Sequence, residues 1–144
     1  MHIRLLSATA VAVLVAAVAG TAATAAAPKT KVCGQIKRGP HATYTFLLTN
    51  KKLSGTTWTI FSTGAPCSTT MKTAPAILKW WKKSKVGASN YSADGFVCNK
   101  ESDGHGSSGT VGCSYLKGPP LSTIELVMTG SYTVAQLKQM FFIG

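Results

Sequence analysis

Four cysteines constrain this chain more than any other feature. Cys33, Cys67, Cys98 and Cys113 are separated by 34, 31 and 15 residues and include no Cys-x-x-Cys pair. In an exported chain an even set of this kind reads as two disulfides, and neither a redox-active pair nor a zinc ribbon fits the spacing. Three connectivities are open. The favoured arrangement is Cys98–Cys113 with Cys33–Cys67; a 33–98 or 33–113 linkage would demand a different topology. On chain-entropy estimates each bridge contributes about 3–4 kcal/mol, a large share of the net stability of a small domain.

The exported context comes from residues 1–27, MHIRLLSATAVAVLVAAVAGTAATAAA. Arg4 opens the segment, Leu5 to Val18 is apolar, and small residues crowd its end, which is the three-part pattern of a secretory signal peptide. Ala25-Ala26-Ala27 suits cleavage, although Pro28 favours a cut slightly earlier. A retained membrane anchor is the plain alternative, but its Ala, Thr and Gly content drives insertion weakly. No cysteine follows the apolar run, which excludes a lipid-modified N-terminus. Without this segment, residues 28–144 form a single domain of 117 residues with 14 Lys+Arg against 4 Asp+Glu, a net charge of +10. The whole chain is 45% hydrophobic and only 13% charged, so a disordered polyelectrolyte is excluded. The expectation is an extracellular monomer with no transmembrane segment after signal removal.

Periodicity sets out the elements. Residues 28–40, with Lys29, Lys31, Lys37 and Arg38, read as an irregular basic arm tied down by Cys33. Thr43–Thr49 alternates like a strand, Asn50–Gly55 reads as a turn, and residues 56–62 place Trp58 and Ile60 on one face, which together predict a hairpin. A helix follows. Pro75 belongs in a first turn, so Thr73 is the expected N-cap and residues 67–73 a separate turn. Ala74, Ile77, Leu78 and Trp81 share its buried face, Lys79, Lys82, Lys83 and Lys85 crowd its C-terminal half, and Gly87 ends it. Strands are expected from Phe96, over Thr110–Leu116, and over Thr123–Thr129, with Ile124, Leu126 and Met128 inward and Glu125 outward. Phe96 and Cys98 share one face, as do Val111, Cys113 and Tyr115, so a disulfide across an antiparallel pair fits. Thr133-x-x-Gln136 is a capping box opening a short helix, with Val134, Leu137 and Phe141 inward. The order β-β-α-β-β-β-α predicts an α+β fold. An antiparallel sheet of about five strands would carry one main helix on one face.

Chemistry-bearing motifs are few. Gly104-His105-Gly106-Ser107-Ser108-Gly109 spells G-x-G-x-x-G, but it joins two strands instead of opening a helix, so a hairpin loop is the better reading. The same loop holds Glu101, Asp103, His105, Ser107 and Ser108, a cluster that a hydrolase would need held rigidly beside an oxyanion donor. His41, Glu125 and Arg38 are the further candidates for a ribonuclease-like acid–base pair. With His41 and His105 as the only histidines after residue 27, and no calcium-loop spacing around Asp103, no metal and no cofactor is expected. Asn90-Tyr91-Ser92 is a sequon that has meaning only in a eukaryotic secretory pathway. Phe141, Phe142 and Ile143 could be core or an exposed patch.

The remaining feature is lysine interleaved with tryptophan: Lys72, Lys79, Trp80, Lys82, Lys83 and Lys85, on a helix without carboxylates. A solvated cationic face is the bland reading. The functional one is an approach surface for an anionic envelope polymer or an acidic extracellular protein. Export argues against intracellular nucleic acid as the partner. Cys67 before a Trp-bearing helix, then Gly95-Phe96-Val97-Cys98 and Gly112-Cys113-Ser114, resembles small exported proteins of high-GC Gram-positive bacteria over roughly residues 57–116. The resemblance implies a fold pattern and secretion, and no activity. The subtilisin inhibitors of such bacteria are similar in size, but their two successive short disulfide loops do not match these spacings. The leading expectation is therefore a secreted, non-enzymatic binding module. An inhibitor or toxin acting through the 100–110 loop comes second and a small secreted hydrolase third.

Overall fold

The computed structural model describes residues 28–46, 50–102 and 107–141; the segment read as a signal peptide, Asp103, His105, Phe142, Ile143 and the side chain of Phe141 lie outside them. The first half comprises β1 (Thr30–Ile36), β2 (Ala42–Phe46), β3 (Lys51–Gly55), β4 (Trp58–Thr63) and α1 (Cys67–Lys83). The second half comprises β5 (Tyr91–Ala93), β6 (Phe96–Lys100), β7 (Thr110–Tyr115), β8 (Thr123–Met128) and α2 (Val134–Phe141). Six strands form one antiparallel sheet in the order β1-β4-β8-β7-β6-β5, and β2 pairs with β3 in a separate hairpin.

The fold class is the expected one: α+β, an antiparallel sheet, a main helix, a short C-terminal helix, and the disulfides Cys33–Cys67 and Cys98–Cys113. Cys98 lies directly opposite Cys113 across β6 and β7, as their shared alternation requires. The capping box is also formed: Gln136 Oε1 accepts the Thr133 backbone N–H at 2.8 Å, and Thr133 Oγ1 accepts the Gln136 N–H at 3.2 Å.

Strand pairing differs from the expectation in the first half. Trp58 to Ser62 are all buried, so β4 needs neighbours on both edges and cover on both faces. It lies between β1 and β8, while residues 43–46, the described part of the expected partner, pair with β3. Its edge partner β1 comes from the supposed irregular arm, where a register shift between Val32 and Gly34 hides the alternation. Cys33 sits at this irregularity and leaves the strand for Cys67, the first residue of α1. Asn50–Gly55, expected as a turn, supplies β3, which pairs Leu53 with Tyr44. The short strand β5 was not anticipated.

The helix also starts earlier than expected. It runs from Cys67 straight through Pro75 and stops at Lys83, with Pro66 and not Thr73 at the N-cap. Proline removes one rung of the ladder, but burial of Thr70, Thr73, Ala74, Ile77, Leu78 and Trp81 along the whole length offsets it. Thr70 Oγ1 adds a 2.9 Å bond to the Pro66 carbonyl, and Gly34 of β1 lets Met71 pack where a Cβ would stand.

One face of the sheet, carrying Trp58, Ile60, Leu126, Val111 and Phe96, is covered by α1. Trp81 meets Trp58 edge-on, with ring centroids 4.8 Å apart, and both indole N–H groups are satisfied, by Pro40 O at 2.8 Å and by Ser108 Oγ at 3.0 Å. On the other face Tyr44 of the β2–β3 hairpin lies against Gly109, in space that a Cβ would take. Gln35 ties that face to the segment before α2, donating to Thr59 Oγ1 and to the Tyr132 carbonyl, each at 3.0 Å.

A charged residue sits in this core. Lys100, at the end of β6, is only 8% exposed. Its Nζ donates to Trp81 O at 2.9 Å and to Ser84 O at 2.6 Å and lies 4.3 Å from the Trp81 ring centroid. The last carbonyls of a helix have no partner within it, and a cation there also meets the negative end of the dipole. Burial pushes the ammonium down from its ordinary value, while the two carbonyls and the indole face act in the opposite sense. Lys100 thus terminates α1 from a strand remote in sequence. Lys100→Met should keep the stem's packing but remove the short donor to each carbonyl, leaving Trp81 O only the 3.3 Å bond from the Ser84 N–H. A loss of about 1–3 kcal/mol is expected, measured by denaturant unfolding with the slope unchanged.

Candidate anion-binding cleft

The 3.6-residue period places Lys72, Lys79 and Lys83 in one line on the solvent side of α1, opposite the buried stripe. Lys82 lies one line over, alongside Pro75, and these two lean toward the connection between β1 and β2. There Arg38 completes a cleft of about 320 Å³ lined by Ile36, Arg38, Gly39, Pro40, Pro75, Leu78, Lys79 and Lys82. Its floor is apolar, its rim carries three cations, and among the described residues no carboxylate lines it.

The wall that carries Arg38 is held in place by named bonds. Gly39 N–H donates to Thr56 O at 2.9 Å, Thr56 Oγ1 donates to Lys37 O at 3.1 Å, and the Trp58 indole donates to Pro40 O at 2.8 Å. Gly39 lies so close to Cδ1 and Nε1 of the Trp58 ring that a Cβ would collide with them. The three cations are therefore set out by a strand end and a helix that Trp58 holds together.

The other residues singled out from the sequence go elsewhere. Lys72 lines a second depression of about 430 Å³ with Ser68, Thr69, Thr73, Asp94, Tyr115 and Lys117. Trp80 turns to the far flank of the helix, donating to Asn90 Oδ1 at 2.8 Å and packing its ring 5.5 Å from that of Tyr91. Lys83 and Lys85 are exposed beyond the cleft, at the C-terminal end of α1. Of the six, Lys79 and Lys82 converge, and they do so with Arg38, a residue of the basic arm that the sequence could not link to the helix.

The acid–base candidates are likewise dispersed. His41 Nε2 is 3.1 Å from Ser54 Oγ on the hairpin. Ser108 is buried and serves structure, accepting from the Trp81 indole and donating to Thr110 O at 3.3 Å. Glu101 and Glu125 do come together: the Glu101 carboxyl lies against Gly112, which is directly opposite Glu125 in the sheet. Loss of water, then the charge of Glu101, pushes the Glu125 carboxyl upward. Burial first, and Glu125 second, holds the Tyr44 phenol far above its ordinary range. Among the described residues no group of three or more His, Cys, Asp or Glu is placed to hold a metal ion.

Because Glu125 binds its proton more tightly in the folded than in the unfolded chain, the stability it confers is full below its ordinary value of about pH 4 and is lost as pH rises through the folded value. Glu125 is exposed on the strand, so solvent screening keeps the effect small. Glu125→Gln should raise the thermal midpoint slightly, by about a degree, at neutral pH and leave it unchanged at pH 4. A midpoint lowered at neutral pH would contradict the charge assignment. Comparison of the chain with protein-family models, characterised proteins and solved structures finds no match, and what the cleft can do follows from its own side chains.

Proposed function

We propose that this protein is a secreted, non-enzymatic binding domain whose Arg38–Lys79–Lys82 cleft takes the anionic groups of an extracellular polymer. Cell-envelope phosphate chains are the first class of ligand and acidic protein surfaces the second. The observation that carries the reading is the convergence of three cations from two chain segments on an apolar floor, with no neutralising carboxylate among the described residues that line it. A guanidinium and two ammonium groups suit repeated phosphate or carboxylate groups, since Arg supplies a planar fork and Lys an adjustable point charge. Lys83 and Lys85 extend the positive field beyond the cleft and favour capture of a chain over capture of a small ion. The two disulfides fit an oxidising compartment. Among the described residues no helix is long and apolar enough to cross a membrane.

The test compares two variants of equal charge. Arg38→Gln, Lys79→Gln and Lys82→Gln combined should weaken binding to a poly(glycerol phosphate) chain by about tenfold or more, each lost contact being worth a fraction of a decade to a decade. They should also flatten its salt dependence. Lys29→Gln, Lys52→Gln and Lys138→Gln combined remove the same charge elsewhere and should do much less. Equal losses in both, read by titration calorimetry across a salt series, would reduce the cleft to net charge alone.

A further inference from the structure

The loop between β7 and β8 is unlike the rest of the surface. Tyr115 N–H donates to Ser122 O at 2.8 Å and closes a six-residue loop, Leu116 to Leu121. Its first and last residues are 69% and 86% exposed, the most exposed large apolar side chains among the described residues. The loop is nonetheless tightly held. Buried Ser122 donates to Pro119 O from Oγ at 2.7 Å and from its backbone N–H at 3.1 Å, and Leu116 N–H donates to Gly95 O at 2.8 Å. Leu121 is fixed at φ 66°, a left-handed conformation that suits glycine or asparagine. A strained leucine that contributes almost no burial to the fold points to a role outside it.

The chemistry beside the loop indicates that role. Lys117 follows Leu116, runs its stem over Gly95 and lines the 430 Å³ depression with Lys72. Ser68 and Thr69 line the same space, at the first turn of α1, which carries no acidic residue. Asp94 is the one anion among the described residues there and accepts from Thr73 Oγ1 at 3.4 Å, so two ammonium groups face one carboxylate. Apolar tips next to a cationic hollow lined by Ser68 and Thr69 match the two zones of a bilayer surface, acyl chains below and phosphate headgroups above.

We infer that this end of the domain docks on a membrane surface rich in anionic phospholipid. Leu116 and Leu121 insert below the headgroups, and Lys72 and Lys117 hold a headgroup phosphate. The surface is separate from the Arg38–Lys79–Lys82 cleft, so either can fail without the other.

The test is co-sedimentation of the protein, as matured by an exporting host, with vesicles of phosphatidylcholine alone or mixed with phosphatidylglycerol. Leu116→Ser with Leu121→Asn should lower partitioning onto the mixed vesicles by about tenfold, the scale expected for withdrawing exposed leucines from an apolar phase. Asparagine relieves the left-handed strain at 121, so the variant should fold at least as stably, which thermal unfolding checks. Lys72→Gln with Lys117→Gln should lower partitioning only where phosphatidylglycerol is present. The Arg38, Lys79 and Lys82 variant should retain the dependence on both leucines. Unchanged partitioning in the leucine variant would overturn the proposal. So would saturation of the site by soluble glycerol phosphate without any need for the leucines, or capture of an acidic protein in place of vesicles.

Discussion

The edge-on contact between Trp58 and Trp81 is the interaction on which the rest of the molecule depends. Trp58 is fully buried at the start of β4, and its ring joins three things that are distant in sequence. Its ring meets Trp81 of α1, its indole N–H holds Pro40, and its Cδ1–Nε1 side takes the space that a Cβ at Gly39 would need. Trp81 is bound in turn by Ser108 through its own N–H and by Lys100 through its carbonyl and its ring. Two large aromatic groups with satisfied polar atoms thus set the distance between the 37–40 wall and the helix. The cleft is the gap they leave.

Charge has a similar dependence on packing. The chain has few acids, and those described are used against one another or in the second depression. Glu101 and Glu125 meet across Gly112 on the face away from α1, while Asp94 accepts from Thr73. The helix lysines are left without carboxylates along their own element, and the positive field of that side is not cancelled locally. Lys100 is the exception among the cations, since it serves the helix end and not the surface.

Much of this was legible in the sequence where a short-range rule applies. Alternation placed Cys98 and Cys113 on facing positions, the 3.6 period found the Ile77–Leu78–Trp81 stripe, and Thr133-x-x-Gln136 formed its box. The misreadings share a cause. The irregularity at Cys33 broke the alternation of β1, and turn-rich Lys51–Gly55 became a strand because Leu53 could pair with Tyr44. Pro75 was given the power to start a helix, yet tertiary burial of Thr70 and Thr73 carried the helix past it. Arg38 could not be assigned to Lys79 and Lys82 without the Trp58–Pro40 bond, and Lys100 carried no sign that an ammonium would be buried.

The sequence by itself determined the parity of the cysteines, the excess of cations over acids, the class of fold, and the Ala74–Ile77–Leu78–Trp81 stripe of the main helix. These properties are set by covalent geometry and by neighbours a few residues away. Only the tertiary structure decided which strands pair, which lysine is buried, and which three of the basic residues surround one cleft. Those outcomes turn on contacts between segments tens of residues apart, where burial of Trp58 and Trp81 outweighs local preference, and no local pattern encodes the partner of a distant side chain.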